Sequence, residues 1–487
     1  RLSMALYALT IFLSALLLFL VQQIVAKEIL PWFGGSAAVW TTCLVFFQAT
    51  LLAGYAYADW LVRRVRATQA IRLHVLLLIV AVALLPIVPA THWKPAGGEN
   101  PSWLILGLLV ATIGLPYFIL STTSPLLQAW FAQRFPARSP YRLFALSNLA
   151  SMLALLAYPF AIEPWVGTRA QASAWSLAFC AFTLVCIATA WLTLRAVPRS
   201  SRDVPLVSAS LATDRDDPPP TSSRQLLWIA LAATSSVLLL AVTNHITENV
   251  AAVPLLWVLP LTIYLVSFIL CFDSTRWYRR EPFLAAVAAM LGTMAWTLAD
   301  DRVTHELPLQ FGAFCAGLFV ACMFCHGELA RQKPAPRHLT RFYLMIALGG
   351  AIGAALVGIV APLLLPASFE LGFGLVLCAV LLATRVRGIA PVFGVLAAAA
   401  LVVTIGAAGY AIHDFYGSTI YATRNFYGVL RVQEWGGGES LRRSLVHGTI
   451  LHGNQFLSPG MTTQPTTYYT QSSGIGILLE TLNPSAA

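Results

Sequence analysis

Stretches of about 20 consecutive apolar residues recur from the start of the chain to residue 412, and this recurrence constrains the fold more than any motif. A run of that length spans the ~30 Å hydrocarbon layer as a helix, the form in which a segment in lipid satisfies its own backbone hydrogen bonds. Thirteen helices are predicted, over 4–26, 36–60, 71–90, 102–132, 142–162, 172–195, 225–245, 252–272, 282–299, 308–330, 341–365, 370–385 and 391–412. Only 10% of the residues are charged and the mean hydropathy is +0.75, which excludes an ordinary soluble domain. The first run is too long for a signal peptide and lacks a small-residue cleavage site, so it reads as a retained span. The chain opens on Arg1 rather than Met, so residues are expected ahead of it.

A formal net charge of +10 raises the question of nucleic acid, but the positions of the basic residues answer it. They gather in alternate loops, at Arg63, Arg64 and Arg66, at Arg134 and Arg138, at Arg276, Arg279 and Arg280, and at Arg385 and Arg387. The intervening loops before the tail hold Lys27, Lys94, Arg169 and Arg302. This is the asymmetry of a protein whose basic loops face the cytoplasm. The expected partner is the lipid bilayer, with no nucleic acid; the expected location is a bacterial inner membrane with the N-terminus cytoplasmic. An odd number of spans puts the tail on the other side, in the periplasm.

The two halves of the membrane part echo each other. The segment 14-SALLLFLVQQIVAKEIL-30 parallels 236-SVLLLAVTNHITENVAA-252, and 126–153 parallels 328–355. An even number of spans separates the copies, so they insert in the same orientation, as in transporters built from two six-helix halves. The expected fold is an all-α polytopic membrane protein of about thirteen transmembrane helices, two six-helix repeats plus one, with a small β-rich tail. The expected divisions are a first half at 1–196, a cytoplasmic linker at 197–224, a second half at 225–387, an additional helix at 388–412 and the tail at 413–487. Within the tail, 425–435 reads as a strand, 436-GGG-438 as a turn and 441–456 as one or two more strands, with a helical stretch from near Thr466.

Polar groups within the spans carry the candidate sites, because they are costly in lipid and face a cavity or a partner. Lys27 and Glu28 end the first span as Asn244, His245 and Glu248 end the seventh, and the repeat places the two sets at equivalent positions. They read as an ion-pair cluster that fixes packing or as a cation gate; the i,i+3 spacing of His245 and Glu248 puts both on one helix face. Asn148 and Ser151 pair by repeat with Gly350 and Gly353, and small residues at such spacing read as sites of close helix packing. Cys322-x-x-Cys325-His326 matches a c-type haem attachment pattern, but within a span near the basic end it reads as packing. No metal or cofactor and no catalytic residue is expected.

In the tail, 447-HGTILHGNQ-455 offers polar side chains unlike the lipid-facing segments before it. Together with 11–58, 147-SNLAS-151, 159-PFAIEP-164, 326-HGELAR-331 and 424-RNFYGVLRV-432, it makes nearly the whole chain resemble bacterial fused transporter/spermidine-synthase-like membrane proteins. That resemblance implies a major-facilitator-type bundle and a tail similar to the β-unit ahead of the Rossmann-like domain of spermidine synthases. It implies a polar tail pocket at His447, His452, Gly453, Gln455, Tyr468 and Tyr469, with polyamines or other organic cations as the implied ligands. The chain departs from the synthase pattern at Gln464-Pro465, where an acidic pair is expected, and ends at Ala487 ahead of any glycine-rich nucleotide-binding turn. Three readings follow: a transporter-like protein with a catalytically silent tail, an accessory subunit of a larger membrane complex, and an aminopropyltransferase-like enzyme if a Rossmann-like domain follows residue 487.

Overall fold

The computed structural model describes residues 2–135, 138, 140–196, 219–249, 256–299, 306–335, 338–448 and 450–482. The expected linker lies mostly outside them. Six helices come first: α1 (Leu2–Phe33), α2 (Ala37–Arg64), α3 (Ala67–Ala83), α4 (Pro101–Arg134), α5 (Tyr141–Ala157) and α6 (Thr168–Ala196). After the linker come α7 (Ser222–Asn249), α8 (Val258–Asp273), α9 (Arg280–Ala299), α10 (Leu307–Arg331), α11 (Leu339–Ala355), α12 (Glu370–Arg385) and α13 (Pro391–Ser418). Among the described residues, ten of these are long and apolar enough to cross a membrane, and α3 and α8 are shorter apolar helices. The protein is an integral membrane protein. Residues 102–132, long enough on paper to turn back, form the single helix α4 with Pro116 and Pro125 inside it.

Internal repetition is visible in the helices themselves. Both α5 and α11 run for 17 residues and pass directly into a five-residue π-turn, Tyr158–Ile162 in one case and Leu356–Val360 in the other. Neighbour relations recur as well. α1 packs on α4, α5 and α6 as α7 packs on α10, α11 and α12, and α2 packs on α4 as α8 packs on α10. Two of the contacts that join the sets, α2 with α11 and α5 with α8, exchange under the same correspondence.

Alternation sorts the helix ends onto two faces. One face carries the basic last turns of α2, α4, α6, α10 and α12. Glu328 of α10, with a side chain 1% exposed, is gripped there by Arg280 Nε at 3.0 Å and Arg385 Nε at 2.9 Å. Tyr278 donates to the same carboxylate at 3.2 Å; burial, reinforced by that carboxylate, pushes its hydroxyl above its ordinary range and keeps it a donor.

The tail leaves the opposite face. α13 continues six residues past its expected end at 412 and runs straight into β1 (Thr419–Asn425), a strand not expected from the sequence. β2 (Gly428–Trp435), β3 (Arg442–His447) and β4 (Ile450–Phe456) complete an antiparallel meander in the order β1-β2-β3-β4. Residues 425–428, expected to open a strand, instead make the β1–β2 turn, because Gly428 adopts φ +142° there. The expected helix near Thr466 is a 3-10 turn at Thr467–Tyr469, and α14 (Gly474–Leu482) begins later. Among the described tail residues after β1 begins, the buried ones are polar: Gln433, Ser444 and Ser458. A sheet with no apolar core of its own depends on what it docks against.

Candidate functional site

Two cavities lie one above the other along the seam between the helix sets. The deeper one, a chamber of about 150 Å³, is lined by α1, α2, α4 and α5 on one side and by α8 and α11 on the other. Its polar groups are amides and hydroxyls: Gln22, Gln48, Asn148 and Ser151, with Tyr117 and Tyr264 among the aromatic rings. Gln22 donates to the Tyr117 hydroxyl at 3.0 Å, which pairs the two buried polar groups. Asn148 keeps a buried amide nitrogen without a partner, a donor free for a solute. No acidic or basic side chain lines the chamber among the described residues.

Contacts between the two helix sets flank the chamber toward both faces. Toward the basic face, Thr340 of α11 donates to Asp59 of α2 at 2.5 Å, and Tyr343 of α11 donates to Gln128 of α4 at 3.0 Å and stacks on Phe144 of α5 at 4.7 Å. Toward the tail, Thr41 of α2 donates to Asn244 of α7 at 2.9 Å, and Trp40 stacks on Trp257 with ring centroids 3.4 Å apart. Gly358 permits a close approach here, since a Cβ would lie 2.6 Å from Val45. These contacts are polar pairs and ring stacks, each worth on the order of 1 kcal/mol, so they can exchange without unfolding the helices.

Above the contacts toward the tail lies a vestibule of about 860 Å³. Its floor includes Thr41 and Asn244, its walls include Trp103 of α4 and Glu248 of α7, and its roof is the β1–β2 and β3–β4 turns of the tail. Those turns bring Arg424, Tyr427 and His447 over the bundle. Gly428 has to be glycine for a second reason, because a Cβ there would collide with His447 Nε2. Arg424 fastens the roof: its guanidinium meets Glu370 at 2.7 and 3.2 Å and the Ala367 carbonyl at 2.7 Å, with both charged side chains nearly buried.

The structure therefore brings Asn244, Glu248 and His447, expected in two separate sites, to one cavity. His245 turns aside. Its ring packs on Phe314 of α10 at 4.5 Å, because at about 100° per residue an i,i+4 pair such as Asn244 and Glu248 shares a face more closely than i,i+3. Lys27 pairs with Glu163 after the π-turn that follows α5, and Glu28 lies near Tyr158, so both stay with the first six helices rather than joining Glu248. Of the residues expected to pack helices, Asn148, Ser151 and Gly350 line the chamber, while Gly353 does pack, 2.6 Å between its would-be Cβ and the Ala233 carbonyl of α7. His452 stacks beside His447 at 5.9 Å and meets the Tyr468 hydroxyl at 3.3 Å; Gly453 lies under Tyr469. Tyr468, Tyr469 and Gln455 are exposed and lie outside both cavities. Cys322 and Cys325 are fully buried in α10, and His326 contacts Ser267 at 2.8 Å and stacks on Phe268 at 3.7 Å.

The sequence reading missed Gln48, Tyr55, Arg424 and Glu370. One signal was available: Thr41, Gln48 and Tyr55 recur at intervals of seven, two helical turns, and form one polar stripe on α2 that passes from vestibule to chamber.

No family model matches this chain, and no curated protein matches it. Among solved structures, it is similar to the human organic anion transporter MFSD10, with 12% identity, 83% of this chain and 99% of that one covered, and a TM-score of 0.44. A bacterial homologue of the iron transporter ferroportin, in an outward-facing state, gives 15%, 83%, 98% and 0.45. The proton:xylose symporter XylE gives 11%, 84%, 95% and 0.43.

Proposed function

We propose that this protein is a solute carrier in which two six-helix halves, 1–196 and 225–387, alternately expose the chamber between them. The observation that carries this reading is the place of the chamber: it lies between helices of both sets, with a separable contact between the sets toward each face, Asp59 with Thr340 and Thr41 with Asn244. Rocking one half on the other breaks one contact while the other holds. An accessory subunit would have no use for such a chamber. The basic face is cytoplasmic in this reading, in a bacterial inner membrane, and the tail is periplasmic.

The chamber's lining limits the solute. Amides, hydroxyls and tyrosine rings suit a small neutral polar molecule or a single ammonium group against ring faces. A polyamine fits less well, since its several charges would find no carboxylate there. The tail acts by position: with Tyr468 and Tyr469 turned outward, its sheet serves as a roof over the vestibule.

Flux in proteoliposomes tests the carrier. Replacing Trp40 and Trp257 by cysteine and oxidising the pair should stop uptake of a labelled small solute, and reduction should restore it. Full flux through the oxidised protein would refute alternating exposure at this seam.

A further inference from the structure

We propose that the vestibule is a binding site for an organic ammonium ion, built jointly by the bundle and the tail. The charge around it does not cancel. Glu248, Glu370 and Arg424 form one cluster, joined through 367–370: Arg424 bonds the Ala367 carbonyl and Glu370, while Ser368 donates to Glu248 at 3.1 Å. The guanidinium is already engaged by Glu370, and among the described residues no basic side chain forms an ion pair with Glu248. One carboxylate is in excess, on the wall of the cavity. The C-terminal end of α7, one residue on, adds negative potential at the same place.

The remainder of the lining selects the kind of cation. Trp103, Phe426 and Tyr427 present aromatic rings, and Val45, Val357 and Leu363 add aliphatic surface. Such walls favour a cation with an organic body, held by ring faces and one carboxylate. A hydrated divalent metal would need several oxygen ligands, and the unpaired acid on this wall is a single one. An anion would meet Glu248 without a free basic partner, since Arg424 is committed and the N-terminus of α4 is capped by Asn100, whose side chain accepts from the Ser102 amide at 3.0 Å. His447 also lines the wall. Both Tyr427 and His447 belong to the tail, so the site is incomplete without it.

The site is tested by equilibrium binding to the full chain in detergent, which needs no transport. The probes are phenethylammonium, its neutral analogue 2-phenylethanol and the anion 3-phenylpropionate. Phenethylammonium should bind at least about tenfold more tightly than the alcohol, the scale of one partly desolvated cation contact, and the anion most weakly. Glu248→Gln should erase the preference for the ammonium, with an unchanged thermal melting profile showing that the variant is folded. Tyr427→Ala, in the roof, should weaken ammonium binding several-fold. Equal affinity for amine and alcohol, tighter binding of the anion, or an unchanged preference in Glu248→Gln would overturn the site. Ammonium binding in a protein without flux would leave the site standing and remove the carrier; flux without ammonium preference would do the reverse.

Discussion

The buried pair of Arg424 and Glu370 should decide whether the tail stays on the bundle. Their side chains are 7% and 6% exposed, and the guanidinium also satisfies the Ala367 carbonyl. Arg424→Ala leaves the Glu370 carboxylate buried with no cation bonded to it, a loss of about 3–5 kcal/mol in comparable settings. The tail has limited means to offset this: Phe426 packs against the bundle core, but among the described residues its buried side chains are the polar Gln433, Ser444 and Ser458. About 3 kcal/mol corresponds to a shift of roughly a hundredfold in the ratio of docked to undocked tail. Amide hydrogen exchange over 419–435 should therefore accelerate strongly in Arg424→Ala, with exchange inside α7 and α11 unchanged. The double variant Arg424→Met with Glu370→Gln removes both charges and should recover much of the protection, because a neutral pair carries no desolvation penalty of that size. Unchanged exchange in the single variant, or equal loss in single and double, would refute the reasoning that this ion pair fastens the roof.

Three further outcomes follow from particular contacts. Gly353→Ala places a methyl 2.6 Å from the Ala233 carbonyl and should lower thermal stability in detergent by about 1–3 kcal/mol, while Gly394→Ala, with open space around it, should not. Glu328→Gln strips the counter-charge from the partly exposed Arg280 and Arg385 and should cost about 1–3 kcal/mol, read as a lower melting temperature with ligand binding in the vestibule retained. A reporter fused after residue 413 should be active only if it requires export; activity of a cytoplasm-only reporter there would reverse the membrane orientation.

Much of the membrane fold was legible because lipid leaves so few choices. A long apolar run has to be helical, so the thirteen predicted segments fall in α1 to α13 with shifts at their ends. The tail was less legible for a matching reason. β1 follows α13 without a break, so a hydropathy window that ended at 412 gave no sign of a strand at Thr419. Phe426 and Tyr427 have high β-propensity, yet the backbone at Gly428 makes them a turn, and the turn is what carries Tyr427 over the vestibule. Asn148 and Gly350 illustrate the limit at the site. Small polar residues in a membrane helix serve close packing or a cavity equally well on sequence grounds, and the choice is made by whether a neighbouring helix fills the space. At Gly353 the α7 backbone fills it; at Gly350 a Cβ would meet only the end of the Gln48 side chain, at the edge of the chamber.

The fastening of the tail is unequal between the two halves, and this predicts which half it follows. Its ion pair and carbonyl bond go to Glu370 and Ala367, and its only covalent link to the bundle, α13, packs on α9 and α12. All of these lie after the linker. Toward the first half, the closest approach of the β1–β2 turn at a glycine is van der Waals contact, with Tyr427 3.8 Å from the would-be Cβ of Gly34. A contact of that kind is worth a few tenths of a kcal/mol per atom pair at most, against several for the buried ion pair, so separation of the halves should part Tyr427 from Gly34 and carry the roof with the second half. Cysteines at Gly35, which has open space, and Tyr427, joined by a bifunctional thiol reagent, would tether the two halves across the vestibule and should stop flux. Cysteines at Phe369 and Phe415, whose rings stand 5.3 Å apart within the second half, should cross-link with flux unchanged. If the second pair blocked transport and the first did not, the tail would have to move with the first six helices, and the vestibule would open on its other side.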